Sequence, residues 1–277
     1  MDTANILNKV PDFLQFYQRA NHEHVTTDKR WELWQEHYGF AAVPPTDEGN
    51  ALARTLVENA WGAYHTHIES IRSWTPHDDL LKKHLSNVKS LLGYEETLQV
   101  VVLYFVGGFE HNPFVTITED GDAVLCLPIE TRADTDDILL THELTHVVHM
   151  KTAELTGAWE RSVASTVIQE GLATQISKHF VPGHPDAAYI EHKEGWFASC
   201  QKHEEEILAG IRPYLRDESS SALTKFTFGE GTTGHDREVY YTGWVVVNRL
   251  RKKGMTFQEI AQVPEHKLPN LVEYALK

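Results

Sequence analysis

Basic charge is what this chain is short of. Lys and Arg number 25 against 40 Asp and Glu, a formal net charge of −15 over 277 residues. Such a field repels phosphate backbones and anionic lipid, and no basic stripe offsets it locally, so nucleic acid is not an expected partner. Cysteine is nearly absent. Cys126 and Cys200 are the only two, too few for a disulfide framework and in keeping with a reducing compartment. No run approaches the roughly 18 apolar residues of a membrane span. The start, "MDTANILNKVPDFLQFYQRANHEH", lacks a basic stretch followed by an apolar one and reads as a mature start rather than a signal peptide. The expectation is a soluble, cytoplasmic protein. Hydrophobic residues at 41% and charged residues at 23% fit an ordinary globular core.

What is present changes texture along the chain. "TDKRWELWQEHYGF" and "EGNALARTLVENAWGAYHTHIESIRSW" space their apolar residues by three and four, with Pro44-Pro45 between them, and "PHDDLLKKHLSNVKSLL" follows from Pro76. "ETLQVVVLYFVGG" then reads as a buried strand, and "PFVTITEDGDAVLCLPIE" as two strands around a hairpin signal at Asp120-Gly121. Helical periodicity returns in "TRADTDDILLTHELTHVVHMKT", where Asp134, Thr135, Asp136 and Asp137 offer caps and negative charge, and in "ERSVASTVIQEGLATQISKHF". "ASCQKHEEEILAGIRPYLRDE" reads as one further helix. "REVYYTGWVVVNRLRKKG" fits a helix ending at Gly254, though its valines also suit a strand. Helices, a small sheet, then helices make an α+β fold.

The chemistry sits in "LLTHELTHVVH", residues 139–149. His142 and His146 are four apart, on one helix face and about 6 Å along the axis, so two imidazoles can converge on one metal ion. Glu143 follows the first and can point toward a water at that metal as a general base. The 17 histidines make a chance HExxH easier. Chance does not select a capped helix with Leu139, Leu140, Leu144, Val147 and Val148 around the motif. His149 is excluded as a third ligand, because seven residues are about 10.5 Å of helix rise. The third ligand must come from another element, with Glu154, Glu160 and Glu170 as candidates. Glu170 lies on the row Val163, Val167, Glu170, Thr174, where a carboxylate among apolar and small residues needs a partner. Gly171 beside it would let the two motif-bearing helices approach closely. An ordinary exposed helical glutamate is the plain alternative.

"HELTH" followed after 23 residues by "EGLA" resembles the gluzincin clan of zinc metallopeptidases, which includes thermolysin. More narrowly, the chain resembles the YjaZ-like family of predicted zinc-dependent proteases, which pairs an HExxH helix with a later EGxA helix and a Tyr-Tyr-x-Gly segment. That segment stands here as "VYYTGW", residues 239–244, and the resemblance covers roughly residues 97 to 250. It implies a zincin-like catalytic domain over 96–277, with a helical region over 1–95 packed on it. It implies Zn2+ bound by His142, His146 and Glu170 with a fourth position for water, and a peptide or protein substrate. Glu143 would take a proton from that water and pass it to the leaving amine. Tyr240, or secondly Tyr241, would stabilise the oxyanion. His235 is a further candidate donor or leaving-group acid, and Arg237 could serve instead. In gluzincins an edge strand before HExxH binds the peptide by extending the sheet, and "AVLCLPIE", residues 123–130, is in that place. Cys126 on it would be a metal ligand only in deformylase-type enzymes, whose cysteine motif is absent, so a packed thiol is expected. The alternatives are an HExxH zinc hydrolase of a non-peptide amide or ester, and a non-catalytic zinc-containing binding protein. The presence of Glu143 argues against the last, since a purely structural site needs no general base.

Overall fold

The computed structural model describes residues 2–43, 46–76, 78–110, 113–117, 123–130, 136–156 and 160–277. The chain begins with strand β1 (Thr3–Asn8) and helices α1 (Val10–Ala20), α2 (Thr27–His37), α3 (Asp47–Ser73) and α4 (Asp78–Leu92). Strands β2 (Gln99–Phe105), β3 (Phe114–Ile117) and β4 (Ala123–Pro128) follow. Next come α5 (Asp136–Thr152), α6 (Val163–Phe180), α7 (Trp196–Lys202) and α8 (Glu204–Ile211). The last helices are α9 (Ser220–Thr227), α10 (Glu238–Lys252), α11 (Phe257–Ala261) and α12 (Leu268–Ala275). The fold is α+β and mostly helical, with its small sheet ahead of the HELTH helix α5. The Pro44-Pro45 break, the Asp120-Gly121 turn and the caps Asp134 and Thr135 lie outside the described residues. Two compact units emerge, one of residues 1–80 and 97–136, the other of 81–96 and 137–277.

The first unit holds the sheet, in the order β1-β2-β4-β3. β1, β2 and β4 run parallel, and β3 is antiparallel to β4. A strand buried on both faces reads as a near-continuous apolar run, and β4 does so, with Ala123, Val124, Leu125 and Cys126 all buried. This corrects the expectation of an edge strand at 123–130: β4 is interior, because β3 pairs along it from Phe114↔Cys126 to Ile117↔Ala123. β1 was not anticipated. "TANILN" has a weak pattern of its own and becomes a strand through its ladder to β2, Thr3↔Gln99 to Asn8↔Tyr104. In α3 the buried positions Ala53, Val57, Ala60, Tyr64 and Ile71 keep the spacing of one helix face, and Thr46 caps its start by accepting from Gly49 N at 3.1 Å. Buried tyrosines bring a hydroxyl that needs a partner. Tyr38 bonds both backbone groups of Val106, at 2.7 and 2.8 Å, and Tyr64 donates to Gly107 O at 2.9 Å.

The second unit is built on α6. Every residue from Val163 to Thr174 is buried, so the helix is covered all round. Gly171 does permit a close approach, but with α10 rather than with α5. A Cβ on Gly171 would collide with Gly243 O, and one on Gly243 would lie 2.5 Å from Val167 O and 2.7 Å from Gly171 N. The two backbones touch there because neither carries a side chain. Packing on α6 makes 238–252 a helix despite its valines, and Gly254, at φ 96°, follows its end. The segment read as one helix over 198–218 breaks at His203 into α7 and α8.

Candidate metal centre

α5 is apolar on most sides, with Leu140, Leu144, Val147 and Val148 buried, so the polar groups of HELTH are carried into a dry setting. Ser177 Oγ of α6 lies 2.8 Å from Ala173 O of its own helix and 3.1 Å from Ile138 O of α5, and its one proton is shared between them where the two helices meet. His142 Nε2 and His146 Nε2 stand 3.1 Å apart. Glu170 Oε2 of α6 faces both, at 3.3 Å from His142 and 3.6 Å from His146. It is a buried oxygen with no well-directed hydrogen bond. Donors at zinc bond lengths in a tetrahedron stand about 3.3 Å from one another. The three separations bracket that value, so these residues fit a zinc ion. Among the described residues this is the one group of three or more His, Cys, Asp or Glu side chains that can hold a metal.

The electrostatics agree with the geometry. Burial alone would push Glu170 up, but His146 and His142 outweigh it and hold the carboxyl far below its ordinary range. Burial pushes the neighbouring Glu143 up, against the opposing pull of His142 and His146, and the side chain is only 6% exposed. The result is a carboxylate more basic than an exposed one.

The other candidates separate cleanly. Glu154 and Glu160 are exposed, and Glu160 accepts from Ser220 at 3.0 Å. His149 is fully buried, its ring nitrogens have no partner among the described residues, and burial pushes it down to about 3. It is a neutral, packed imidazole at ordinary pH. The Cys126 side chain is buried among the core residues of the first unit. Tyr240 and Tyr241 face different partners. Burial, then the charges of Glu170 and Glu143, push Tyr240 well up, while Arg237 opposes; this tyrosine lies in the field of the site. Tyr241 donates instead to Glu204 Oε2 at 2.9 Å. His235 is tied off, with Nε2 3.0 Å from Ser199 Oγ and Nδ1 2.8 Å from Thr233 Oγ1. Arg237 stacks on Tyr240, its guanidinium carbon 3.9 Å from the ring centroid.

Two contributors were not read from the sequence. One is Gly243, which brings α10 onto α6 one helical turn beyond Tyr240, a tyrosine that feels the charge of Glu170. The glycine of the YYTG segment was the available signal. The other is His84 of α4. Thr141, next to His142, gives its hydroxyl proton to Asp137 O at 2.7 Å and so accepts from His84 Nδ1 at 2.9 Å. A partner 57 residues away leaves no local trace.

No helix among the described residues is long and apolar enough to cross a membrane. A search of curated proteins and a search of solved structures each returned no match. A family model does match, over residues 116–269, which takes in the HELTH helix, EGLA and YYTG. The chain belongs to the family described as predicted Zn-dependent protease (DUF2268), and zinc is its metal.

Proposed function

We propose that the chain hydrolyses peptide bonds with zinc held by His142, His146 and Glu170. The observation that carries this reading is the convergence of those three donors beside a buried, basic carboxylate. When bound, zinc supplies Lewis acidity, which makes water acidic near neutral pH and polarises a carbonyl. Glu143 takes the proton of the attacking water and returns it to the leaving nitrogen, a task suited to its raised pKa. Tyr240 stays protonated across neutral pH and donates to the carbonyl oxygen as negative charge gathers there. Tyr241 and His235 hold the local structure, since their polar atoms are already satisfied.

The test is hydrolysis of an unbiased peptide mixture, read by mass spectrometry, with zinc content measured in parallel. Wild type is expected to cleave. Glu143→Gln keeps its zinc and loses roughly 10² to 10⁴ of the rate, the range for a general base. Glu170→Ala loses the metal. Normal turnover by Glu143→Gln, or full zinc retention by Glu170→Ala, would overturn the assignments.

A further inference from the structure

We propose that Arg237 reads a carboxylate on the substrate, either the α-carboxylate of a chain end or an acidic side chain close to the scissile bond. This rests on the peptide-hydrolase reading above. Most charged side chains around Arg237 are already matched. Asp236 holds Lys193 at 2.8 Å and His192 at 2.8 Å, and its carbonyl accepts from Trp196 Nε1 at 2.8 Å. Glu238 is fully buried and accepts from the backbone and hydroxyl groups of Thr232 and Thr233, with distances from 2.6 to 3.3 Å.

Arg237 stands between these two anchored acids and pairs with neither. In a chain of net charge −15, several other arginines find carboxylates, among them Arg30 with Glu58, Arg212 with Glu273 and Arg249 with Glu204. No described carboxylate forms an ion pair with Arg237, whose polar partner is the Tyr240 side chain. Its backbone is also held at φ 58°, ψ 34°, a left-handed conformation that a β-carbon disfavours. Such outliers persist where the surroundings enforce them, and here both neighbours are anchored. The guanidinium is thus half-buried and unneutralised, stacked on a tyrosine that lies in the field of the metal donors. A planar fork in that position matches a carboxylate through two parallel hydrogen bonds.

The experiment measures binding, so that it does not depend on turnover. Zinc-loaded Glu143→Gln is titrated with a panel of N-acetylated tetrapeptides in three forms: free acid, carboxamide, and carboxamide with an internal Glu. One carboxylate-bearing form is expected to bind about tenfold more tightly than the neutral carboxamide, the order of one charge-assisted pair. Arg237→Met in the same background removes that preference, and Arg237→Lys keeps part of it; zinc content and circular dichroism confirm that both variants fold. A preference for the free acid identifies a chain end, and a preference for the Glu form identifies a side chain. Equal binding of all forms, no binding of any, or equal weakening of acid and amide by Arg237→Met overturns the proposal. Carboxylate preference without cleavage by wild type would leave it standing and instead defeat the hydrolase reading.

Discussion

Glu143, which is buried, and Glu130, which is half-buried, are carboxylates that desolvation pushes up, and the two differ in what surrounds them. Glu143 has two imidazoles to offset the effect. Glu130, beyond β4, has weak help from Phe109 N at 3.4 Å and the added repulsion of Glu110, and its carboxyl is pushed up to about 7 from an ordinary 4.5. The folded state therefore binds this proton more tightly than the unfolded chain. Stability declines as pH rises through the window from about 4.5 to 7 and is flat above it. Chemical denaturation across that window is expected to show wild type losing up to about 3 kcal/mol relative to Glu130→Gln, less whatever water penetration relieves. Parallel curves for the two proteins would refute it. At this scale the sequence was readable where local geometry decides. Helix rise removed His149, and i,i+4 spacing joined His142 to His146. It could not tell Tyr240 from Tyr241, because adjacent positions on a helix diverge by about 100° and the sorting partners, Glu170 and Glu204, come from other helices.

Helix crossings, more than single side chains, set the centre. Where α6 and α10 touch at Gly171 and Gly243, a methyl group has nowhere to go: the obstruction is backbone, which cannot rotate aside. Gly171→Ala is expected to cost about 1–3 kcal/mol, the usual range for overpacking. It should also separate Tyr240 from Glu170, so that turnover falls further than stability or zinc content does. Thermal melts, metal analysis and kinetics on one preparation would check this, and unchanged kinetics would remove Tyr240 from the chemistry. Long amphipathic elements such as α3 were legible because their own spacing specifies them. β1 and the interior place of β4 were not, since each depends on a ladder to a distant segment. A strand's neighbours leave less mark on its sequence than its burial does.

Neither compact unit of the whole molecule is a continuous stretch of chain. The second includes residues 81–96, which lie between two segments of the first. A protein cut to residues 97–277 would therefore lose α4, and with it the His84 bond to Thr141 beside His142. That shortened protein is expected to show faster amide exchange in the first turns of α5 and weaker zinc retention than the full chain, by hydrogen exchange and metal analysis. Protection equal to that of the full chain would mean that α4 is dispensable. The same interleaving bears on synthesis. As the ribosome releases the chain from its N-terminus, α4 emerges some forty residues before the first segment it belongs with. Until then its apolar face, Leu81, Leu85, Val88 and Leu92, has no home of its own, and a nascent chain in that interval is a natural client for a chaperone.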